Sequence, residues 1–399
     1  MKSELLAPAG SFEALQAALH FGADAVYCGG PLLQLRAESA GFDLDGLRRN
    51  IEYTHARGKK LYVTVNCFAE NGEIPLVGDY ARRLHALGAD AVIVSDLGVL
   101  AEIRDACPDL PVHVSTQANV QNYRAVEVLR SLGASRVVLG REASLEDIRA
   151  LTARVRDTEI EVFVHGAMCM AYSGRCLLSS FLNNRSGNRG DCSQPCRWNY
   201  WLVEEKRGNT LIPVREAEGA TAILSSADLK ALSLLPQLEA AGVCSFKIEG
   251  RMKSAYYVAT VVNAYRQFMD GRAPLPQCDA ELNCASHRPY STGFFFGEAK
   301  NDPNNDGRYR ADCVFIGVVL GQAGAGELLV EMRNRFSVGD TLEVLSPDGM
   351  GLSFPVTRIV GADGAEKDVA ELVQEKVRIA CPFPLRPGDM LRRRNGSQK

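Results

Sequence analysis

The sequence predicts an α/β protein: a (β/α)8 TIM-like barrel with a cysteine-rich insertion after the seventh strand, plus a small C-terminal antiparallel β-barrel domain. Two observations lead to this prediction. A helix–glycine–strand unit recurs along the first 250 residues, and after about residue 310 the chain changes to short strands separated by Gly, Asp and Pro turns. Strict alternation of strand and helix predicts a parallel sheet with right-handed crossovers, whereas short strands between turns are typical of an antiparallel barrel.

Five glycines mark the points where a predicted helix ends and an apolar strand follows at once. They are Gly22, Gly58, Gly88, Gly133 and Gly242. Each is expected to supply the left-handed residue that closes a helix. The short runs after them are continuously apolar, as in a sheet that is buried on both faces.

Three further strands complete a set of eight between Glu4 and Ile248. Glu4-Leu-Leu-Ala opens the chain, and Val112-His-Val-Ser-Thr and Ile160-Glu-Val-Phe-Val follow later. Ser11 fits the N-cap of the first helix. Eight strands favour a closed barrel over an open doubly wound sheet, and the first strand is not followed by the Gly-x-Gly-x-x-Gly of dinucleotide-binding folds.

Composition changes predict the domain boundaries. Residues 1–300 are expected to form the barrel, with the cysteine-rich insertion at 166–200. The turn-rich polar stretch at 301–310 reads as a linker, and residues 311–399 as the small domain. Its basic end, Leu391-Arg-Arg-Arg394, is expected to be a loose tail.

Composition is that of a soluble globular protein with no bulk attraction for nucleic acid. The 399 residues are 46% hydrophobic and 23% charged, with a formal net charge of −3, so RNA binding would need a local basic face. No apolar run is long enough to cross a bilayer, and the start lacks the apolar core of a signal peptide. With twelve cysteines, the chain is expected to reside in the reducing cytoplasm.

A ring of polar residues follows the predicted barrel strands. Barrel active sites form at the C-terminal ends of the strands, and this ring is far more polar than the strands that carry it. Any one of these side chains alone is commonly a structural cap, but their joint position predicts a site. The ring comprises Asn66, Asp96, Gln117, Asn119, Arg141, Glu142, His165, Lys247, Glu249 and Arg251.

Four cysteines, Cys169, Cys176, Cys192 and Cys196, form a tight group with six, fifteen and three residues between them. Four converging thiolates suit an iron–sulfur cluster or a zinc ion. Structural zinc sites most often use Cys-x2-Cys pairs, which are absent here, whereas iron–sulfur sites accept varied spacings; the pattern favours iron–sulfur without excluding zinc. His165 near Cys169 superficially suggests a peptidase pair, but a thiolate committed to metal is no longer a free nucleophile.

These cysteines lie in segments that resemble the peptidase U32 family. The stretch from Glu161 to Ser179 matches the family signature, and Cys192-x3-Cys196-Arg-Trp198 and Lys247-Ile-Glu-Gly-Arg251-x-Lys-Ser254 follow in the family's order. Arg36 and Val114-Ser-Thr-Gln-Ala-Asn119 also resemble it. Within the family, the chain looks most like the branch that hydroxylates tRNA.

The resemblance implies a function. Members of that branch make 5-hydroxyuridine at wobble position 34 of tRNA, with the oxygen taken from prephenate rather than dioxygen. It implies a 4Fe–4S cluster on the four grouped cysteines, dependence on the iron–sulfur assembly machinery, and the tRNA anticodon loop as partner. Related branches hydroxylate a cytidine of 23S rRNA or act in oxygen-independent ubiquinone synthesis. A non-catalytic iron–sulfur scaffold or redox partner is the rival from another class, and a peptidase is the least expected function.

Residue roles follow from that chemistry. Prephenate carries two carboxylates, which arginine binds bidentately. Each cation has an alternative role in an ion pair with Glu142, Glu161 or Glu249. The expected substrate-binding residues are Arg36, Asn66, Gln117, Asn119, Arg141, Arg175, Lys247 and Arg251. The expected catalytic residues are His165, Glu249 and Tyr172. His165 would alternatively brace its loop, and Tyr172 would either stack on a base or pack beside the cluster. The arginines expected to meet the anticodon backbone are Arg185, Arg189 and Arg197.

Overall fold

The computed structural model describes residues 3–35, 41–198, 227–297 and 308–396. The chain divides into two compact units that alternate along the sequence. Ser254–Ser286, which the predicted boundary near residue 300 groups with the barrel, belongs here with the C-terminal residues. The first unit comprises Met1–Leu15, Asp24–Lys253 and His287–Tyr309; the second comprises Gln16–Ala23, Ser254–Ser286 and Arg310–Lys399.

Eight parallel strands close the first unit into a TIM-like barrel, as predicted. The barrel closes because the last strand pairs in parallel with both the first and the seventh, Ser245 lying opposite Glu4 and Glu161. The strands are β1 (Glu4–Pro8), β2 (Ala25–Gly29), β3 (Lys60–Val65), β4 (Ala91–Val94), β5 (Val112–Val114), β6 (Ala134–Val138), β7 (Glu159–Ala167) and β9 (Ser245–Ile248).

Helices connect the strands. Ser11 accepts a hydrogen bond from the backbone N–H of Ala14 at 3.1 Å and so caps the first helix as expected. Among the described residues, no helix is long and apolar enough to cross a membrane. The helices are α1 (Phe12–His20), α2 (Leu44–His55), α3 (Ile74–Leu87), α4 (Leu97–Ala106), α5 (Tyr123–Ser131), α6 (Leu145–Thr152), α7 (Leu178–Asn183), α8 (Leu235–Ala240), α9 (Ala255–Met269) and α10 (Leu275–Leu282).

The seventh strand extends beyond the barrel and positions the insertion. β7 is nine residues long, and its end pairs antiparallel with β8 (Asp228–Lys230), which in turn pairs with β10 (Tyr290–Ser291). Gly166 has φ +108°, and a Cβ there would lie 2.6 Å from the carbonyl oxygen of Glu249, so only glycine fits this close approach. The β7–β8 ribbon was not predicted from the sequence.

The C-terminal strands form an antiparallel fold, as predicted. Eight of them make one sheet in the order β15-β14-β20-β11-β12-β19-β16-β17, and β13 pairs with β18. The core includes Ile316, Phe336, Leu342 and Phe354. The strands are β11 (Cys313–Gly324), β12 (Glu327–Met332), β13 (Phe336–Ser337), β14 (Thr341–Leu345), β15 (Ser353–Pro355), β16 (Ile359–Val360), β17 (Glu366–Lys367), β18 (Val369–Ala370), β19 (Lys376–Ala380) and β20 (Met390–Arg394).

The prediction of a loose basic tail is wrong for 391–394. These residues form most of β20, a central strand of the sheet. Arg392 is only 2% exposed and donates to Glu281 at 2.7 Å, and Arg394 donates to Glu343 at 2.7 Å. Because carboxylates compensate these arginines, a charged stretch that reads as a solvated end forms part of the sheet.

Candidate active site

A small cavity with a volume of about 60 Å³ lies at the C-terminal ends of the barrel strands and opens to solvent. The structure brings seven of the predicted residues to its lining. They are Asn66, Gln117, Arg141, Cys169, Lys247, Glu249 and Arg251.

Arg141 is held at the junction of the barrel and the insertion. Its guanidinium donates to the Glu249 carboxylate at 2.9 Å and to the carbonyl oxygen of Ala167 at 2.8 Å, and lies 4.2 Å from the centroid of the Phe163 ring. The anticipated ion pair with a nearby glutamate is therefore present. It fixes both Arg141 and Glu249 at the cavity wall.

Lys247 belongs to a buried ion-pair network below the cavity. Its Nζ lies 2.8 Å from Glu161 Oε1, and Glu161 Oε2 lies 3.1 Å from Arg136 Nη1. Burial by itself would raise the pKa of Glu161, but Lys247 and Arg136 outweigh it and lower this pKa to about 2. Glu161 is therefore ionised, and it offsets much of the charge that Lys247 brings to the cavity.

Arg251 is a buried residue of the cavity wall. It donates to Thr64 Oγ1 at 2.7 Å and approaches Gln34 Oε1 at 3.4 Å. The Arg251 carbonyl oxygen would lie 1.8 Å from a Cβ on Gly10, so a glycine at position 10 is needed for this close approach. The backbone therefore fixes where the guanidinium can reach.

Neutral polar groups complete the walls. Tyr27 donates to the carbonyl oxygen of Ile248 at 3.0 Å. Burial, and then the charge of Glu249, raise the pKa of Tyr27 well above its usual value, so it remains a neutral phenol. Asn66 accepts from the Leu35 N–H at 3.3 Å and donates to Ser115 Oγ at 3.4 Å.

The cysteine insertion is docked on the barrel loops. Ser173 N–H donates to Glu142 at 2.8 Å, and Glu142 also accepts from Asn119 at 3.2 Å. Arg189 forms two 3.0 Å contacts with Glu73, and these hydrogen bonds lower the pKa of that carboxyl. Glu142 and Arg189 therefore anchor the insertion, and Asn119 holds Glu142 in place.

The insertion brings the four grouped thiols near one another. Cys169 is exposed and lines the cavity, and the other three are partly exposed. The pKa of Cys196 is raised, mainly by burial; Arg197 opposes this shift, and Cys169, Cys192 and Cys176 add to it. In the described part of the chain, however, no three His, Cys, Asp or Glu side chains are arranged closely enough to hold a single metal ion.

Several predicted residues lie elsewhere. His165 is buried beside Tyr290, with ring centroids 5.5 Å apart; burial lowers its pKa to about 3, and the described cavity lining does not include it. Tyr172 is exposed on the insertion. Asn119 and Arg175 line a second, more open groove, which meets the first cavity at Gln117. Arg36 lies outside the described residues.

Seven lining residues were missed from the sequence: Tyr27, Leu35, Thr64, Ile93, Ser115, Thr116 and Phe163. Four of them, Tyr27, Thr64, Ile93 and Phe163, lie within barrel strands, where they read as core. Thr64 carried a weak signal, because it lies one residue before the end of β3, beside the predicted Asn66. In a barrel, alternate strand residues face inward, so a polar or aromatic residue near the end of a strand is a candidate.

A polar cavity beside four grouped cysteines defines a barrel protein with a candidate active site and a candidate metal centre at its mouth. The chain belongs to the peptidase U32 family. Residues 10–305 match the model of peptidase family U32, and residues 311–392 match that of its C-terminal domain.

Relatives in the family are similar over most of the chain. "tRNA hydroxylation protein P1" of Bacillus subtilis is 36% identical, covering 98% of this chain and 95% of that protein. "tRNA hydroxylation protein P" of Escherichia coli is also 36% identical, covering 92% of this chain and 91% of that protein. "23S rRNA 5-hydroxycytidine C2501 synthase" of Escherichia coli is 38% identical, covering 67% of this chain but 39% of that protein.

Proposed function

We propose that this protein is a cytoplasmic RNA-modifying enzyme that hydroxylates C5 of wobble uridine 34 in tRNA, taking oxygen from prephenate and using no dioxygen. One observation carries the proposal: Cys169 lines the same cavity as Arg141 and Arg251. A small anionic donor bound to the arginines would therefore meet the thiol centre at one place. The names of the two long-matching relatives support RNA hydroxylation as the reaction class.

The extent of the similarity favours tRNA over ribosomal RNA. The relatives named for tRNA hydroxylation match this chain nearly end to end, including the C-terminal strands. The relative named for 23S rRNA matches two thirds of this chain and less than half of its own length. A ribosomal cytidine is therefore the second candidate.

The donor set suits a 4Fe–4S cluster held by Cys169, Cys176, Cys192 and Cys196. Cys169, Cys192 and Cys176 all add to the raised pKa of Cys196, so the four thiols lie in one neighbourhood. Structural zinc sites most often use Cys-x2-Cys pairs, whereas an iron–sulfur cluster accepts varied spacings because each thiolate binds a different iron atom. A bound cluster would supply a one-electron redox centre at the edge of the cavity.

The cavity suits a donor with two carboxylates. Its lining contains three cations, Arg141, Lys247 and Arg251, against one carboxylate, Glu249. Since Glu161 offsets Lys247, the two arginines are the main anion partners. A guanidinium has five N–H donors, so Arg141 can bind a carboxylate while it keeps its pair with Glu249.

The electron balance explains why an oxygen donor and a redox centre would share one site. Replacing C5–H of uridine by C5–OH is a two-electron oxidation. When prephenate loses carbon dioxide and its ring hydroxyl it becomes aromatic, and that hydroxyl leaves at the oxidation level of water. Two electrons must therefore leave the site for each hydroxyl formed. A 4Fe–4S cluster takes one electron at a time, so it would relay them singly to an external one-electron acceptor such as a redox protein.

Mass spectrometry of RNA nucleosides tests the function. Deleting the gene, in cells without a dioxygen-dependent route, should remove 5-hydroxyuridine and its derivatives from tRNA, and loss of prephenate synthesis should have the same effect. If tRNA is unchanged and a ribosomal cytidine loses its hydroxyl, the rRNA candidate is correct. If neither RNA changes, the hydroxylase proposal is wrong and an iron–sulfur scaffold is favoured.

A further inference from the structure

The cysteine insertion exposes several large apolar side chains within about thirty residues. Phe181 is 87% exposed, Tyr172 62% and Trp198 45%. Five aromatic side chains among the described residues are more than a third exposed, and these three belong to the insertion. Single exposed apolar residues are ordinary, but a concentration of them indicates an interaction surface.

These side chains project from a well-braced segment. Helix α7, which carries Phe181, is joined to the segment of the second cysteine pair by hydrogen bonds. Asn183 Nδ2 donates to Ser193 Oγ at 2.7 Å, and Ser193 N–H donates to Ser179 Oγ at 3.0 Å. The exposed position of Phe181 is therefore built into the fold, and little ordering would be needed when a ligand stacks on it.

The insertion carries a net positive charge. Residues 166–198 contain four arginines and one aspartate, a net charge of +3 (+4 − 1) in a chain of net charge −3. Arg189 anchors the insertion, and Arg185 pairs with Asp191 at 2.6 Å. Arg175 is exposed and lines the groove that meets the mouth cavity at Gln117. It is the arginine best placed to meet a phosphate beside the cavity.

We propose that Tyr172, Phe181 and Trp198 form a stacking surface for unpaired bases of an RNA loop, with Arg175 contacting the backbone. This surface would hold the nucleotides that flank the one entering the cavity. The inference rests on the proposed function, because it gives the site a single-stranded RNA substrate. Aromatic rings beside arginines suit splayed-out bases, since each base offers a face for stacking and each nucleotide brings a phosphate.

Binding of the full-length protein to two labelled RNAs tests the surface: a hairpin with an unpaired uridine-containing loop, and a fully paired duplex of matched length. Phe181→Ala should raise the hairpin Kd by about 5- to 150-fold, as expected for loss of one base–aromatic stack, and leave duplex binding unchanged. Phe181→Trp should restore hairpin binding. Phe296→Ala is the matched control, because Phe296 is 69% exposed outside the insertion, and it should bind like wild type.

Arg175→Ala should lower the salt dependence of hairpin binding by about one unit of log–log slope, since one phosphate contact is lost.

Each variant must match the wild-type protein in iron content and thermal unfolding. If Phe181→Ala does not, Tyr172→Ala replaces it. If Phe181→Ala, or Tyr172→Ala in its place, binds the hairpin as tightly as wild type, the inference is overturned. A fall of RNA modification in cells with unchanged hairpin binding would point to a protein partner instead. An equal loss with Phe296→Ala also overturns the inference. Failure of the proposed function would appear separately, as no 5-hydroxyuridine formed by the wild-type protein.

Discussion

Replacing Gly174 by alanine is expected to lift the cysteine insertion off the barrel mouth. Gly174 lies between Cys169 and Cys176 and has φ +71°, a left-handed conformation that favours glycine. A Cβ at this position would lie 2.0 Å from the carbonyl oxygen of Gln117 and 2.9 Å from its carbon. Both atoms belong to backbone, so no side-chain rotation can relieve the clash.

The size of the effect follows from the 2.0 Å distance between this Cβ and the carbonyl oxygen of Gln117. Ordinary contact for a Cβ begins at 3.4 Å, so the insertion and the Gln117 loop must separate by about 1.4 Å (3.4 − 2.0). The left-handed backbone adds roughly 1–2 kcal/mol of strain for alanine. A misplacement of about 1 Å commonly costs on the order of 100-fold in rate. We therefore expect Gly174→Ala to lower turnover about 100-fold with a modest loss of stability.

The assay is formation of 5-hydroxyuridine by the purified protein, followed by nucleoside mass spectrometry, with iron content measured in parallel. Gly187→Ala is the control in the same insertion, because a Cβ there would meet only Cys192, at 3.5 Å or more, with no left-handed strain. It should retain nearly full activity. If Gly174→Ala turns over as fast as Gly187→Ala, docking of the insertion on Gln117 does not matter for activity.

Three further predictions concern the thiols, the donor site and pH. Cys192→Ala should abolish iron binding after anaerobic reconstitution, whereas Cys278→Ala, at a buried cysteine outside the group, should keep its iron. Stoichiometric zinc without iron in the wild-type protein would contradict the proposed cluster. Arg251→Lys should raise the KM for prephenate because the planar fork is lost, and an unchanged KM at limiting donor would exclude Arg251 as a carboxylate partner. Burial, with a smaller effect from Arg136, lowers the pKa of His113 from 6.5 to about 3. Between pH 6 and 4 the unfolded chain therefore binds a proton at this histidine that the folded protein does not bind. The free energy of unfolding falls as the pH drops through this range. In urea unfolding, His113→Phe should flatten this dependence by up to about 1.4 kcal/mol per pH unit, and identical slopes would refute the assignment.

Much of the barrel could be predicted because its signals are local. Gly22, Gly88 and Gly242 were expected to close helices in the left-handed conformation, and their φ values are +103°, +90° and +92°. Such glycines need no knowledge of distant residues. The polar residues after the strands were predictable for a related reason, since parallel strands bring all their C-terminal ends to one mouth.

The parts that escaped prediction depend on distant partners. Tyr27 reads as an ordinary strand residue, and it faces the cavity only because of its register in the closed barrel, where it lies opposite Tyr62. Arg392 reads as part of a solvated tail, yet Glu281, more than a hundred residues earlier, allows it to be buried. His165 lies opposite Lys230 of the unpredicted strand β8, and the described cavity lining does not include it. Long-range pairing of this kind is not encoded in any short window of the sequence.

The alternation of the two units along the chain has a consequence for biosynthesis. Ser254–Ser286, including α9 with its many buried side chains, leaves the ribosome before the C-terminal strands of its unit exist. A further 108 residues (394 − 286) must then be made before β20 is complete, which takes roughly 5 to 22 s at about 5–20 residues per second. During that interval the apolar surface of α9 lacks its partners and is a natural target for a chaperone. A message cut short near codon 300 would yield a chain in which that surface is never covered by the strands of its own unit, and such a fragment is expected to be degraded or to aggregate.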